Sequence, residues 1–187
     1  MTKFSIEYAD ITTLKVEAIV NASNVSGLGC SIKNHCIDSA IHFAAGKDLL
    51  EACIALKGIP TTIAKITPAF NLPSKYVLHV TGPQKSLGGN CDFALLAKSY
   101  ENTLDLARKH GLKQIAFCAI STGIFGFPKK QSAIVAIQTV QNWVMVNDEN
   151  YKFDEIIFDC YELQDFQIYC DIFSKISSIF CLPTQVN

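Results

Sequence analysis

The sequence predicts a single α/β domain over residues 1–187, because short runs rich in β-branched and aromatic residues alternate with longer helical patterns. No linker, low-complexity tract or internal repeat interrupts this alternation. Hydrophobic residues make up 49% of the chain and charged residues only 18%, so the chain can bury a full core, which excludes a disordered protein.

The apolar spacing predicts each element in turn. Residues 115–120 form a nearly continuous apolar run, which is typical of a central strand covered on both faces. In residues 91–110, apolar side chains recur at spacings of three and four and Gly111 follows as a stop signal, which indicates an amphipathic helix. The same patterns predict strands at residues 4–8, 16–21, 63–70, 76–81, 114–120 and 155–160, and helices at residues 36–45, 47–56, 91–110, 129–146 and 163–178.

The charge balance and the cysteines narrow the class of protein. Lys and Arg number 16 against 17 for Asp and Glu, and Arg108 is the only arginine, so the basic surface of a nucleic-acid-binding protein is missing. The N-terminus lacks the apolar core of an export signal, and no apolar stretch approaches the roughly 20 residues that span a bilayer. We expect a soluble cytoplasmic protein that binds neither nucleic acid nor membrane and keeps its eight cysteines reduced.

A glycine-containing loop, Ser-Thr-Gly-Ile-Phe-Gly-Phe-Pro at 121–128, leads from the predicted central strand into a helix. Ligands of open α/β sheets bind at such strand ends. Small residues let successive backbone N–H groups face a concavity, which suits an anion such as a diphosphate. The sequence lacks the Gly-Lys-Ser/Thr of a nucleoside triphosphatase loop, and a tight β–α turn without ligand is the alternative.

A second polar segment, residues 21–42, runs from a predicted strand through a glycine-bearing loop into a helix. The side-chain amide of Asn24 can donate to and accept from a sugar hydroxyl, although a turn role would also explain it. We expect Asp38 in the first helical turn, where the helix dipole would hold its carboxylate ionised as a base or a water-orienting group. A simple helix-capping charge is the alternative for Asp38.

These segments together resemble the macrodomain family, which binds ADP-ribose. The resemblance covers nearly the whole chain and implies a three-layer α/β/α fold with a mixed sheet. The stretches that carry it are Ala-Asp-Ile-Thr at 9–12, Ala-Ile-Val-Asn-Ala-Ser-Asn at 18–24, Ala-Ile-His-Phe-Ala-Ala-Gly at 40–46, Ala-Lys-Ile-Thr at 64–67, Asn-Leu-Pro-Ser-Lys-Tyr-Val at 71–77, Thr-Gly-Pro at 81–83 and Ile-Ser-Thr-Gly-Ile-Phe-Gly at 120–126.

The resemblance also implies roles for individual residues. Asp10 would accept from the adenine amino group beside the Ile11 backbone, and Tyr161 would stack on adenine. Asn24 and Phe125 would lie by the distal ribose. The diphosphate would lie in the loop formed by Ser121, Thr122, Gly123, Ile124, Phe125 and Gly126.

In residues 29–38 the sequence is similar to the microbial zinc-containing branch of this family. The resemblance implies a zinc ion held by Cys30, His35 and Cys36, with a fourth position open for water or substrate. Here His35 and Cys36 are adjacent, where the branch has one residue between them, so both can reach one metal only if the helix begins at or after Cys36. A helix start would also favour the Cys36 thiolate.

The functional hypothesis is a zinc-dependent hydrolase that removes mono-ADP-ribose from modified proteins by cleavage at C1 of the distal ribose. Asn24 and Asp38 would be its catalytic groups, and its partners would be ADP-ribose and a mono-ADP-ribosylated protein. The alternatives are a reader module that binds ADP-ribose without turnover and a hydrolase of a small ADP-ribose derivative. An open metal position favours an enzyme, because a reader has no use for it.

Overall fold

The computed structural model describes residues 1–30, 36–147 and 149–180. Within these residues the chain forms six strands, five α-helices and one short 3-10 helix. The strands are β1 (Lys3–Tyr8), β2 (Ala18–Ala22), β3 (Ala64–Pro68), β4 (Tyr76–Val80), β5 (Gln114–Phe117) and β6 (Glu155–Cys160). The α-helices are α1 (Ile37–Ala45), α2 (Lys47–Ala55), α3 (Phe93–Lys109), α4 (Lys129–Asn147) and α5 (Leu163–Phe180), and the 3-10 helix is Ile11–Thr13.

The strands form one mixed sheet in the order β1-β6-β5-β2-β4-β3. All neighbouring strands are parallel except β3, which pairs with β4 in the antiparallel direction at one edge. β2 and β5 lie in the middle, and their other partners, β4 and β6, lie on opposite sides. In an open α/β sheet, two adjacent strands whose other neighbours lie on opposite sides leave a crevice at their carboxyl ends. Ligands bind in this crevice.

The helices cover the two faces of the sheet. α1 and α2 contact each other and strands β2 and β3. On the other side α4 packs between α3 and α5, with α3 on β3 and β4, and α5 on β1 and β6. The predicted three-layer α/β/α fold with a mixed sheet is therefore confirmed.

The two middle strands form the centre of the core. Ile19 and Val20 of β2 and Ile115 and Ala116 of β5 have no exposed surface. Alternate residues of a strand face opposite sides of the sheet, so both faces of these strands are covered. The prediction that the apolar run after residue 114 lies in the middle of the sheet is confirmed.

The largest boundary difference from the predicted elements is at the end of β5, which stops at Phe117 rather than at residue 120. The Ile120 N–H donates to the Tyr100 hydroxyl at 3.2 Å, and that hydroxyl donates to the Cys118 carbonyl at 3.5 Å. The backbone after Phe117 thus hydrogen-bonds to a side chain of α3 rather than to a strand. This contact releases the chain from the sheet just before the glycine-containing loop.

Among the described residues, none of the helices combines the length and apolar character needed to cross a membrane.

Candidate functional site

A cleft of about 850 Å³ lies at the carboxyl ends of β2, β5 and β6. Its volume is within the range of small-molecule sites. Of the predicted site residues, those that line the cleft are Asp10, Ile11, Asn24, Cys30, Cys36, Asp38, Ser121, Thr122, Gly123, Ile124, Phe125 and Tyr161. Gly126 shapes the same loop without lining the cleft, and His35 lies outside the described residues.

The phosphate-binding loop predicted at residues 121–126 is called the amide loop below, and most of its backbone N–H groups have no partner among the described residues. Two bonds close it: the Gly126 N–H donates to the Gly123 carbonyl at 2.9 Å, and the Phe127 N–H donates to the Ser121 carbonyl at 3.0 Å. Within the described chain, no oxygen accepts from the N–H groups of residues 121–125. A run of free N–H groups at a concave surface is suited to bind an anion.

Backbone conformation and close contact shape the start of the amide loop. Ser121 has φ 67°, a left-handed conformation that costs a non-glycine residue of order 1–3 kcal/mol. Ser121 is 5% exposed and its hydroxyl has no hydrogen-bond partner among the described residues. A Cβ on Gly82 would lie 2.2 Å from the Ser121 Oγ and 2.5 Å from Ile120 Cγ2, so only glycine fits there.

Asn24 and Asp38 meet at the opposite end of the cleft. The Asn24 Nδ2 donates to the Asp38 Oδ2 at 3.2 Å and to the Gly29 carbonyl at 3.0 Å. Its Oδ1 accepts from the Ser26 hydroxyl at 2.5 Å and from the Gly27 N–H at 3.0 Å. The amide of Asn24 therefore both shapes the loop after β2 and holds the Asp38 carboxylate.

A buried polar chain supports Asp38 from behind. The Asn21 Nδ2 donates to the Asp38 Oδ1 at 2.7 Å and lies 3.2 Å from the His79 Nδ1. The other ring nitrogen of His79 lies 2.8 Å from the Thr67 hydroxyl. Asn21 and His79 have no exposed surface, and burial lowers the pKa of His79 to about 3, so its ring is neutral at physiological pH.

Burial is the main influence on the electrostatics of Asp38. Burial raises the pKa of Asp38, and the hydrogen bond from Asn21 and the neighbouring His42 only partly oppose this effect. Asp38 is 3% exposed and lies in the first turn of α1, as expected, and burial is the largest effect on its pKa. Its Oδ1 lies 3.6 Å from the His42 Nε2, which has no hydrogen-bond partner among the described residues.

Cys30 and Cys36 both line the cleft beside Asp38. α1 begins at Ile37, and Cys36 precedes it with extended backbone. The helix therefore begins after Cys36, which is the condition under which the adjacent His35 and Cys36 could both reach one metal ion. Burial raises the pKa of the Cys36 thiol, and the neighbouring Cys30 and Asp38 raise it further, so the expected preference for the thiolate at a helix start is not found. No group of three metal-binding side chains occurs within residues 1–30, 36–147 and 149–180.

The third part of the cleft lies beyond β1 and β6. Asp10 is the N-cap of the 3-10 helix, and its Oδ1 accepts from the Thr12 N–H at 3.0 Å and from the Thr12 hydroxyl at 2.7 Å. Tyr161 directly follows β6 and is 75% exposed, which leaves its ring available for stacking. A planar ring between a carboxylate and an aromatic side chain suits this part of the cleft.

Sequence reasoning missed three residues of the cleft and its support. Gly82 and Asn21 were read only as parts of a motif, because their roles depend on contacts across the sheet. Asp159 was missed altogether, although it lines the cleft and is 5% exposed. The signal for Asp159 was available: a carboxylate interrupts the apolar run of residues 156–160.

Comparisons with known proteins agree with this geometry. A family model described as the Macro domain matches residues 20–136. A protein-ADP-ribose hydrolase of Treponema medium is 45% identical over 174 residues, and one of Staphylococcus aureus is 39% identical over 176 residues. These matches cover 88% and 89% of this chain but 65% and 64% of the relatives, so the chain spans somewhat less than two thirds of their length.

Two solved structures share the fold. A mutant of the Oceanobacillus iheyensis macrodomain, solved with ADPR, has a TM-score of 0.83 and 32% identity and covers 92% of each chain. The Trypanosoma brucei macrodomain in complex with ADP has a TM-score of 0.83 and 30% identity, covering 91% of this chain and 69% of that one. The family that the motifs indicate is confirmed by these matches.

The contact between Gly82 and Ser121 gives a test of the amide loop that needs no ligand. Gly82→Ala should lower the free energy of unfolding by about 1–3 kcal/mol, because the added Cβ overlaps the Ser121 Oγ. Gly123→Ala is the matched control, since nothing lies within 4 Å of a Cβ at Gly123, and it should change stability little. Urea denaturation measures both, and equal stability of the two variants would contradict the proposed close packing.

Proposed function

We propose that this chain, which belongs to the macro domain family, binds ADP-ribose and removes mono-ADP-ribose from modified proteins by hydrolysis at C1 of the distal ribose. The observation that carries the proposal is the amide loop, whose free N–H groups border a cleft with a supported carboxylate at its far end. The two relatives that are named protein-ADP-ribose hydrolase support the same activity.

The charge of the cleft supports a diphosphate held by backbone amides. Among the described residues that line it there is no lysine or arginine, whereas five carboxylates line it: Asp10, Asp38, Asp159, Glu162 and Asp165. Since no lysine or arginine is available there, the unbonded N–H groups of residues 121–125 are the donors that can bind an anion in this cleft. The amide loop therefore selects for the one anionic part of ADP-ribose.

The two ends of the ligand follow from this placement. Adenine would lie between Asp10 and Tyr161, where the free carboxylate oxygen of Asp10 accepts from the amino group. The distal ribose would lie by Phe125 and the Asn24–Asp38 pair. The solved complexes of related macrodomains with ADPR and ADP support a nucleotide in this cleft.

Asp38 is the group that we assign to the chemistry. A carboxylate whose pKa is raised by burial is a better proton acceptor near neutral pH than an exposed one. In hydrolysis a water oxygen bonds to C1 while the bond from C1 to the modified side chain breaks; Asp38 takes the proton of the water and returns it to the leaving group. Asn24 orients Asp38, since its own amide is already engaged within the chain.

Zinc belongs to the proposal through Cys30, Cys36 and His35. The two thiols lie in one neighbourhood of the cleft, at the end where Asn24 and Asp38 meet, and this chemistry fits a zinc ion whose third protein ligand is His35. A zinc ion held there would polarise a ribose oxygen or lower the pKa of a bound water to about 7.

A catalytic role is favoured over a reader by the burial of Asp38. A module that only binds ADP-ribose needs the amide loop and the adenine end. Burying a carboxylate and so raising its pKa costs folding stability, and groups with shifted pKa values cluster at catalytic sites. If the chain binds ADP-ribose but turns over no mono-ADP-ribosylated protein, the reader is the correct function, and turnover of small ADP-ribose derivatives alone would indicate the metabolite hydrolase.

Substitution at the amide loop tests binding. Gly123→Glu should weaken ADP-ribose binding by about 1.5–3 kcal/mol, because it brings bulk and negative charge to the diphosphate site without disturbing neighbours. Gly88→Glu, which makes the same change in an exposed loop outside the cleft, should bind normally. Asp10→Ala should weaken binding as well. Calorimetry decides this, and normal binding by Gly123→Glu would refute the diphosphate placement.

Substitution at the distal end tests catalysis. Asp38→Asn should lower kcat by about 100- to 10,000-fold while changing ADP-ribose affinity much less, because it removes a proton acceptor and keeps the shape. Asn24→Ala should also lower kcat more than affinity, whereas Ser26→Ala, which removes one bond to Asn24 at the exposed surface, should be nearly normal. Unchanged turnover of Asp38→Asn at saturating substrate would show that another group acts as the base.

Metal analysis tests zinc. The purified protein should hold about one zinc per chain, and Cys30→Ser and Cys36→Ser should lose it. Cys91→Ser, at a half-buried cysteine outside the cleft, is the matched control and should retain it. Chelation should abolish hydrolysis and leave the fold and ADP-ribose binding intact, because the large core does not depend on metal. If Cys30→Ser and Cys36→Ser were fully active and the purified wild type contained no zinc, zinc would have no part in the proposed function.

A further inference from the structure

Asp159 is a buried carboxylate in the cleft to which the proposed mechanism gives no role. It is the second-to-last residue of β6, its neighbours on the strand are buried, and it is 5% exposed. Its Oδ1 has no hydrogen-bond partner among the described residues. Asp159 lines the cleft together with Asp10, Ile11 and Tyr161, at the end that we assign to adenosine.

The surroundings of Asp159 contain acids and thiols but no free cation within the described chain. On β1, Glu7 is its register partner, and Asp10 follows that strand. Cys118, just after β5, and Cys160, the next residue on β6, interact with it electrostatically. On the helical side Asp165 lines the cleft, but it and Glu162 engage Lys129 at 3.0 and 2.5 Å, so that lysine is already paired.

We propose that Asp159 is a specificity-determining residue that binds the adenosine part of the ligand as a neutral carboxylic acid, donating a hydrogen bond to an acceptor atom of adenosine. This inference rests on the proposed ADP-ribose site. The carboxyl group of Asp159 is buried without a partner at Oδ1 among the described residues, and the carboxylate of Asp10 lines the same cleft. A protonated Asp159 gains a hydrogen bond from a ligand that offers an acceptor, and the ring nitrogens and ribose oxygens of adenosine are acceptors.

The division of labour with Asp10 follows from the chemistry of the base. Asp10 accepts through its carboxylate from the amino group of adenine, whereas the remaining polar edge atoms of the ring only accept. A donor is needed beside them, and a protonated carboxyl group is one. An ionised Asp159 would instead add a negative charge to a cleft that takes up a diphosphate, with no lysine or arginine lining it among the described residues.

The surroundings of Asp159 make its neutral, protonated form accessible near neutral pH. Burial, with smaller contributions from Asp10 and Glu7, raises the pKa of Asp159 to about 7 in the ligand-free chain. A ligand that binds the neutral form raises the pKa further, so binding takes up a proton at and above neutral pH. Affinity should be highest when Asp159 is already protonated, below its pKa in the free chain, and should fall as the pH rises through that value.

Calorimetry with ADP-ribose tests this directly, because both phosphates of ADP-ribose are diesters and do not titrate near neutrality. Between about pH 6 and about pH 8 the wild-type affinity should fall by about fivefold or more. Asp159→Asn, which keeps shape and donor without charge, should bind at the low-pH wild-type affinity across this range. Asp159→Val should also be independent of pH but bind about 3- to 10-fold more weakly than Asp159→Asn, because it lacks the donor.

Two controls separate Asp159 from other groups. Asp171→Asn, the same change of charge on the exposed surface of α5, should keep the wild-type pH dependence. The pKa of Asp38 is also raised, but a dependence that came from Asp38 would persist in Asp159→Asn. Titration of the wild type in two buffers of different ionisation enthalpy measures proton uptake without any variant, and uptake should be found above neutral pH.

The outcomes distinguish this inference from the proposed function. ADP-ribose binding with equal pH dependence in wild type and Asp159→Asn, or with no proton uptake by the wild type, would overturn the role of Asp159 and leave the ADP-ribose site standing. Equal affinity of Asp159→Val and Asp159→Asn would overturn the hydrogen bond. Absence of ADP-ribose binding at every pH would overturn both proposals.

Discussion

The free backbone N–H groups of the amide loop are the feature on which the account of the cleft depends. They exist because β5 ends at Phe117, where the Tyr100 hydroxyl takes over hydrogen bonds that a neighbouring strand would otherwise supply. The loop then begins with Ser121 in a left-handed conformation, pressed against Gly82. The left-handed backbone of Ser121 is unfavourable in the free protein, and an anion bound to the neighbouring N–H groups offsets part of that cost.

The cleft combines this anion site with an unusual number of acids. Three of its carboxyl groups differ in their surroundings: Asp10 is exposed and hydrogen-bonded, Asp38 is buried and held by two amides, and Asp159 is buried without a partner at Oδ1 among the described residues. Burial raises the pKa of both Asp38 and Asp159. In our proposals the same residue type therefore has three roles within one cleft: it accepts a hydrogen bond from adenine, takes a proton from water and donates to adenosine.

The sequence predicts the elements well because most carry a recognisable apolar pattern, such as the helical period of α3, whose buried residues include Leu96, Tyr100 and Leu104. The glycines and small residues at 121–126 likewise mark the loop at the sheet edge. What the pattern does not contain are contacts between distant segments, such as Gly82 against Ser121 or Asn21 against Asp38. The early end of β5 was missed for the same reason, since it depends on a hydroxyl from α3.

The sequence did not predict how burial competes with the helix start at Cys36 and Asp38. Cys36 and Asp38 lie at the beginning of α1, and local sequence suggests that both should be ionised there. The fold places them against the sheet, where desolvation is the largest effect and raises the pKa of each. The depth of a side chain is a tertiary property, and no spacing rule supplies it.

Backbone amide NMR during a titration with ADP-ribose tests the central claim most directly. The free N–H groups of residues 121–125 should gain charged acceptors, so their proton resonances should move downfield at saturation, while those of α3, already bonded within the helix, should hardly move. ADP-ribose binding that leaves the amides of residues 121–125 unshifted would contradict the account, because the diphosphate would then lie elsewhere.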